Sequence, residues 1–413
     1  MYVASARPRD RVKGRVPGTV VALGAVSLLT DVSAEMVTAF LPVYLLFTLN
    51  MSYAQFGLLD GLYTGATAVL RLVGGHVSDR THRHKAVAAV GYGLSAVTKL
   101  IFPVVGASAF GIGATLAADR AGKGLRTAPR DALISLATPP DRLGAAFGLH
   151  RSMDTVGALL GPLVTFLLLY SIGTVAGPVF VVSACFAVVG LIVLVAFVRE
   201  NPRPAVVGPR PSVRAGVALL RDAGYRRAAV AAAVLGLATL SDAFVFILVQ
   251  RATDAPLHLL PLMPLGTALV FLVAATPVGR LADRIGRWPV FLGGHVLLLA
   301  VYVLLLTGGG GYVGVGAALL LHGLFYAATD GVLSARVSTL VPESLRASGL
   351  SVVQTGQALA RLVSSVAFGL LLQFAAFGTA VWAAIGSLLV AVLVAWRLNA
   401  KRPDAKRPDA QEA

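Results

Sequence analysis

The chain has 413 residues, 57% of them hydrophobic and 13% charged, and its mean hydropathy is +0.80. A water-soluble domain of this length cannot bury so much apolar surface, so the solvent for most of the chain is lipid. The net charge of +16 raises nucleic-acid binding as a rival explanation; it fails because the charges fall loop by loop between apolar runs.

Twelve apolar runs lie near 19–48, 53–77, 86–107, 109–135, 144–171, 175–199, 226–250, 257–279, 289–307, 312–338, 347–375 and 377–397. Each suits a membrane-spanning helix of about 20 residues. The runs are continuous and lack a period of two, which excludes an outer-membrane barrel. The expected fold is all-α, with twelve transmembrane helices in two six-helix halves. A basic tail (1–18) precedes the first half (19–199), a linker (200–225), the second half (226–397) and a second tail (398–413). Lys and Arg gather in alternate loops, for example Arg80, Arg83 and Lys85, while the loops around 49–52, 172–174, 308–311 and 375–378 carry none; Arg251 is the exception. The positive-inside rule then puts both termini in the cytoplasm. In the linker, Ser212 to Arg227 is expected to form a surface amphipathic helix, with Val213, Val217, Leu220 and Tyr225 on its apolar side. The lone Cys185 is expected in a packed core. No cleavable signal peptide is expected, because the first run is too long and leads into a charged, Pro-containing helix.

Several charges fall where charge is expensive. Asp31 sits near the middle of the first helix, with Glu35 one turn on along the same face. Ionisable groups at such depth point to function, here proton exchange, with a structural ion pair to a base such as Arg120 as the plain alternative. Between the second and third helices runs Gly75-His-Val-Ser-Asp79-Arg80-Thr-His82-Arg83-His84-Lys85. It returns half a chain later as Gly279-Arg-Leu-Ala-Asp283-Arg284-Ile-Gly286-Arg287. Asp60 and Lys99 fall toward the outer side, as a structural pair or gate. Helix four carries Asp119-Arg120-Ala-Gly-Lys123-Gly124, then Arg126, Arg130 and Asp131, the last three expected to snorkel or to pair with the Asp79 turn. Helix five carries Gly148, His150, Arg151, Asp154, Gly157, Gly161, Pro162 and Thr165. Its polar trio is either a proton relay or substrate contact, or a set of pairs with helix four. Asp242 repeats the Asp31 context in the seventh helix, and Thr329-Asp330 repeats Ala118-Asp119. His322 lies in the tenth helix. Gln354, Gln357 and Arg361 share one face of the eleventh, which lipid cannot cover. Asp31, Glu35, His150 and Asp154 could gather a divalent cation, but no histidine or cysteine cluster supports a metal site.

These patterns resemble the major facilitator superfamily of secondary transporters. The two Gly-Asp-Arg turns resemble its G-x-x-x-D-R-x-G-R-[RK] signature, with His82 in place of a Gly. Arg120 to Gly124 resembles its R-x-x-q-G motif, with Lys123 in place of Gln. Gly148, Gly157, Gly161 and Pro162 resemble its antiporter motif, with Thr165 in place of the last Gly. The resemblance implies a multi-pass protein of the inner or plasma membrane, not an enzyme. It would work by alternating access as a proton-coupled antiporter exporting a small drug-like molecule or metabolite. An anionic solute is the alternative, with a metal ion or chelate behind it. Protons are the coupling ion, no cofactor is expected, and the unit is expected to be a monomer in the bilayer.

Overall fold

The computed structural model describes residues 17–63, 83–139, 142–200, 213–307, 310–342 and 345–399. Gly75, Asp79 and Arg80 lie outside the described residues, as do residues 201–212 of the linker. The described residues are helical throughout, without a strand. In the first half, α1 (Gly18–Pro42) runs on into a π-helical turn (Val43–Thr48), and α2 covers residues 53–63. Then come α3 (His84–Val105), α4 (Ala109–Ala137), α5 (Leu143–Ile172) and α6 (Ala176–Phe197). After a short α7 (Val213–Ala218), the second half holds α8 (Ala223–Ala238), α9 (Asp242–Thr253), α10 (Leu262–Ile285) and α11 (Arg287–Leu306). It ends with α12 (Gly311–Leu340), α13 (Arg346–Phe374) and α14 (Phe377–Asn399).

Ten helical stretches among the described residues are long and apolar enough to cross a membrane, α8 and α9 counting as one. Helix α4 is not among them, because its middle carries Asp119, Arg120, Lys123, Arg126, Arg130 and Asp131. Side chains such as Val104, Phe110, Phe197, Phe374 and Trp396 stand exposed, as a lipid-facing belt requires. Cys185 belongs to that face: it is exposed on α6 and is not the core residue its apolar setting suggested.

In the first half, α1 packs on α5 and α6, and α3 on α4 and α6. In the second, α8 packs on α13 and α14, and α12 on α10 and α11. The seventh span is broken where a continuous helix was expected. Thr239, Leu240 and Ser241 leave the helical path, and α9 restarts at Asp242 with Ser241 as its cap. Such a break needs new partners for the freed backbone. Leu240 N–H donates to Tyr302 Oη (2.8 Å), and the Thr239 carbonyl accepts from Ser364 Oγ (3.0 Å).

The expected linker helix is also divided. Only α7 and a 3₁₀ turn (Leu219–Arg221) precede Asp222, which caps α8 by accepting from Tyr225 N–H at 2.7 Å. Tyr225 therefore belongs to the seventh span, fully buried, and donates to the Gly349 carbonyl.

The closest approaches between the halves gather at the end carrying the uncharged loops. Gly57 and Gly61 of α2 press on Ser365, Leu362 and Gly369 of α13, so close that a methyl at Gly57 would come within 2.4 Å of the Ser365 carbonyl oxygen. Phe56, Phe244 and Phe368 stack edge-on across the same seam. Ser365 Oγ donates to Asp60 Oδ2 at 2.7 Å, and Ser241 also bonds this carboxylate.

Candidate functional site

Helix α4 brings its charges inward through a glycine crossing. Gly91 and Gly122 face each other's carbonyl oxygens so closely that a methyl on either would clash, at 2.7 and 2.6 Å. Polar side chains of α3 therefore reach the face of α4 that bears Asp119, Lys123, Arg126 and Arg130. Small residues at a crossing permit such contact in a membrane.

The result is a ladder of alternating charge. At its inner rung Asp119 pairs with both Lys99 and Arg120 and accepts from Ser95 (2.6 Å) and Thr98 (3.2 Å). Arg120 also lies over the Tyr63 ring at 4.0 Å, and Tyr63 bonds Thr38 at 2.6 Å. One step on, Glu35 lies in electrostatic range of Arg120 and Lys123. Next, Arg126 Nη2 stands 3.6 Å from Asp31 Oδ1, its guanidinium 4.6 Å from the Tyr92 ring centre. Last, Arg130 holds Asp131 at 3.0 Å and Asp154 at 3.8 Å and donates to Ser27 Oγ. Buried charges persist only when paired in this way.

Several expectations change here. Lys99 does not pair with Asp60: it turns to Asp119, while Asp60 takes serine donors from the other half. Asp31 is paired by Arg126 and not by Arg120, which is occupied by Asp119 and Tyr63. Arg126 is buried, with no snorkelling. Arg151 is 82% exposed and touches Asp154 only at 3.7 Å.

The glycines of α5 act as the contact surface with α1. A methyl at Gly157 would meet the Leu28 carbonyl oxygen at 2.4 Å, and one at Gly161 the Glu35 Cβ at 2.7 Å. Thr165, standing where the motif has Gly, donates to the Met36 carbonyl at 3.1 Å across that interface. Gly148 faces open space, so it takes no part in the contact. Pro162 lies within the helix beside Gly161.

In the second half, Asp242 at the start of α9 accepts from Tyr326 Oη at 2.5 Å and lies 3.6 Å from His322 Nε2. Tyr326 also bonds Arg361. A cavity of about 90 Å³ opens beside them, lined by His295, Asp330, Gln354, Gln357 and Arg361 among others. His295 Nδ1 lies 2.9 Å from the Phe291 carbonyl, which only accepts, so Nδ1 donates there. Arg361 Nε is buried with no hydrogen-bond partner among the described residues. The second turn motif closes on itself. Asp283 accepts from Arg287 at 3.3 Å, Arg287 also donates to the Ala335 carbonyl, and Gly286 takes the φ of 105° that the turn requires. Gly279 and Arg284 lie within α10, so the motif begins inside the helix and not in a loop. Arg83 is the residue before α3.

Sequence reasoning passed over Tyr63, Tyr92, Tyr326 and His295. Each sits a whole number of turns from an apolar neighbour, so nothing in the local pattern separates it from core. Among the described residues no three His, Cys, Asp or Glu side chains gather as a metal site.

Two helical halves with charge-lined interiors, closed together at one end, have the architecture of a membrane transporter. The Major Facilitator Superfamily profile matches residues 23–311 and 242–413, and the chain belongs to that family. It is 29% identical over 361 residues to the uncharacterized MFS-type transporter MJ1317 of Methanocaldococcus jannaschii, covering 84% of this chain and 87% of that one. It is 32% identical over 185 residues to the uncharacterized protein Rv2265 of Mycobacterium tuberculosis, 45% of each chain. Among solved structures, the nucleoside transporter NupG is similar in fold, with a TM-score of 0.78 at 14% identity, over 93% of this chain and 100% of that one. A bacterial homolog of the human lysosomal transporter Spinster, inward-facing and unoccupied, has a TM-score of 0.66 at 15% identity, over 94% and 96%.

Proposed function

We propose that the chain is a proton-coupled antiporter that exports a small drug-like molecule or metabolite across the inner or plasma membrane. The observation that carries this reading is the contact of Asp31 and Glu35 on α1 with the basic face of α4 and the Gly157–Gly161 face of α5. A carboxyl group there exchanges its proton in one orientation of the halves and is paired in the other, so proton and conformation are linked. On this reading the unit works as a monomer, and the loop charges support both termini in the cytoplasm. On this orientation the sealed end of the uncharged loops is the outer one, which favours reading the described state as inward-facing. Asp79, Arg80 and Arg83, with Gly75, fasten the cytoplasmic side in the opposite state, as the corresponding turn at Asp283 and Arg287 supports.

Substrate recognition falls to the second half, where Gln354, Gln357 and His295 offer donors and acceptors around one cavity. A solute bearing an anionic group is a second reading, favoured by the unpartnered Nε of Arg361. The test is a transport screen in proteoliposomes with an imposed pH gradient, run with neutral, cationic and anionic candidates. Accumulation that ignores the gradient for every transported solute removes proton coupling.

A further inference from the structure

Asp31 of α1 and Asp154 of α5 face each other across the α1–α5 contact, their carboxyl groups within hydrogen-bonding reach. Two ionised carboxylates have no hydrogen to share, so the contact requires a proton on one of them. The backbone holds them there. Gly157 and Gly161, one and two turns beyond Asp154, bring α5 against Leu28, Val32 and Met36 of α1, and the Thr165 hydroxyl ties to the Met36 carbonyl.

Among the described residues no cation reaches either carboxyl at hydrogen-bond length. Each carboxyl has its own cation at moderate range: Arg126 at 3.6 Å from Asp31, Arg130 at 3.8 Å from Asp154. From α4, Lys123 also faces Asp31, and it is shared with Glu35, one turn along α1. Arg130 is shared with Asp131, and Arg151 is largely in water. We infer that Asp31 and Asp154 form one proton-binding site, a carboxyl–carboxylate pair between α1 and α5 that holds a single proton in this conformation.

A buried histidine stands beside the site. His150 lies one turn before Asp154 on α5, only 4% exposed, and neither ring nitrogen has a hydrogen-bond partner among the described residues. An imidazole so placed can accept a proton on one nitrogen and release one from the other, passing it between the basic end and Asp154. The role of the pair in transport rests on the proton-coupled reading above; the shared proton itself does not.

The test reads the proton without transport. Infrared spectra of the purified protein in nanodiscs at pH 7 should show a protonated-carboxyl band. Carboxyl-¹³C aspartate labelling of the wild type should shift it, which assigns it to aspartate with no substitution. Asp31→Asn and Asp154→Asn should each remove that same band, and the double variant should remove nothing more. Absence of any aspartate band in the wild type overturns the inference. So does a band lost in one single variant and kept in the other, which gives the proton to one residue. Either result leaves pH-driven transport to be measured separately, so failure of the pair and failure of proton coupling are told apart.

Discussion

Arg126 reaches Asp31 across the α4–α1 boundary at 3.6 Å, with its guanidinium over the Tyr92 ring. This cation is buried, and Asp31 is only 14% exposed, so neither is answered by bulk water. Removing one partner of a buried pair costs up to about 3–5 kcal/mol. Arg126→Gln should lower the melting temperature in detergent clearly, and Arg126→Lys, which keeps charge and loses stacking, should lower it less. A melting curve for Arg126→Gln that superimposes on the wild type would remove the pair from the stabilising contacts.

The α1–α5 contact leaves no room for a side chain at Gly161, where a Cβ would stand 2.7 Å from Glu35 Cβ and 2.9 Å from the Met36 nitrogen. Both neighbours belong to α1 at its backbone, so they cannot swing away. Gly161→Val should destabilise by at least about 1–3 kcal/mol, the usual cost of overpacking. Gly148→Ala, in open space, should be close to neutral. Equal thermal stability of the two variants would show that α5 is not held to α1 by this contact.

The sequence made the helices and the acidic and basic residues of the interior legible, because lipid forbids unpaired charge and leaves long apolar runs between loops. It did not make the pairings legible. Whether Asp31 meets Arg120 or Arg126 depends on which turn of α4 the Gly91–Gly122 crossing brings opposite α1, a matter of translation along a helix axis. The break at Thr239 to Ser241 was hidden for a related reason. Its backbone partners, Tyr302 and Ser364, come from distant helices, so the local sequence reads as uninterrupted. Cys185 was misread because an apolar run in lipid is apolar on every face, and periodicity no longer separates inside from outside.

Asp60 joins the halves at the sealed end, accepting from Ser365 at 2.7 Å and from Ser241. These bonds exist only while that end is closed, so they favour the closed state of that end, which is inward-facing on the orientation proposed above. An interhelical hydrogen bond in a membrane is worth about 0.6–1.7 kcal/mol. Asp60→Ala should therefore raise the outward-open population several-fold. Spin labels on Asn50→Cys and Ala375→Cys, in a Cys185→Ser background, would report this as a growing long-distance component. An unchanged distance distribution in both Asp60→Ala and Ser365→Ala refutes the latch.

Orientation rests on loop charge. Cysteines introduced at positions 205 and 405 in the Cys185→Ser background should react with impermeant thiol reagents only from the cytoplasmic side. Labelling of either in intact cells would reverse the assignment. In the same background, Asp79→Asn should abolish most transport while leaving the protein inserted, if its motif has the proposed role in fastening the cytoplasmic side. Transport at the wild-type rate would detach Asp79 from the conformational cycle.

On the proposed reading, Asp31 is the residue on which proton coupling turns. It touches α4 through Arg126 and α5 through Asp154, so its surroundings change whenever those helices move against α1. Glu35 is one turn away, but it faces Arg120 and Lys123, and Arg120 is already engaged by Asp119. Asp31→Asn fixes the neutral form with little change of shape. It should still bind substrate and exchange it across the membrane, yet lose accumulation driven by a pH gradient. Glu35→Gln should leave more of that accumulation intact. The measurement is paired: substrate exchange at equal pH, and uphill uptake into proteoliposomes under a gradient. If Asp31→Asn keeps full pH-driven accumulation while Glu35→Gln does not, the coupling proton binds one turn further along α1, and the pairing with Arg126 serves stability alone.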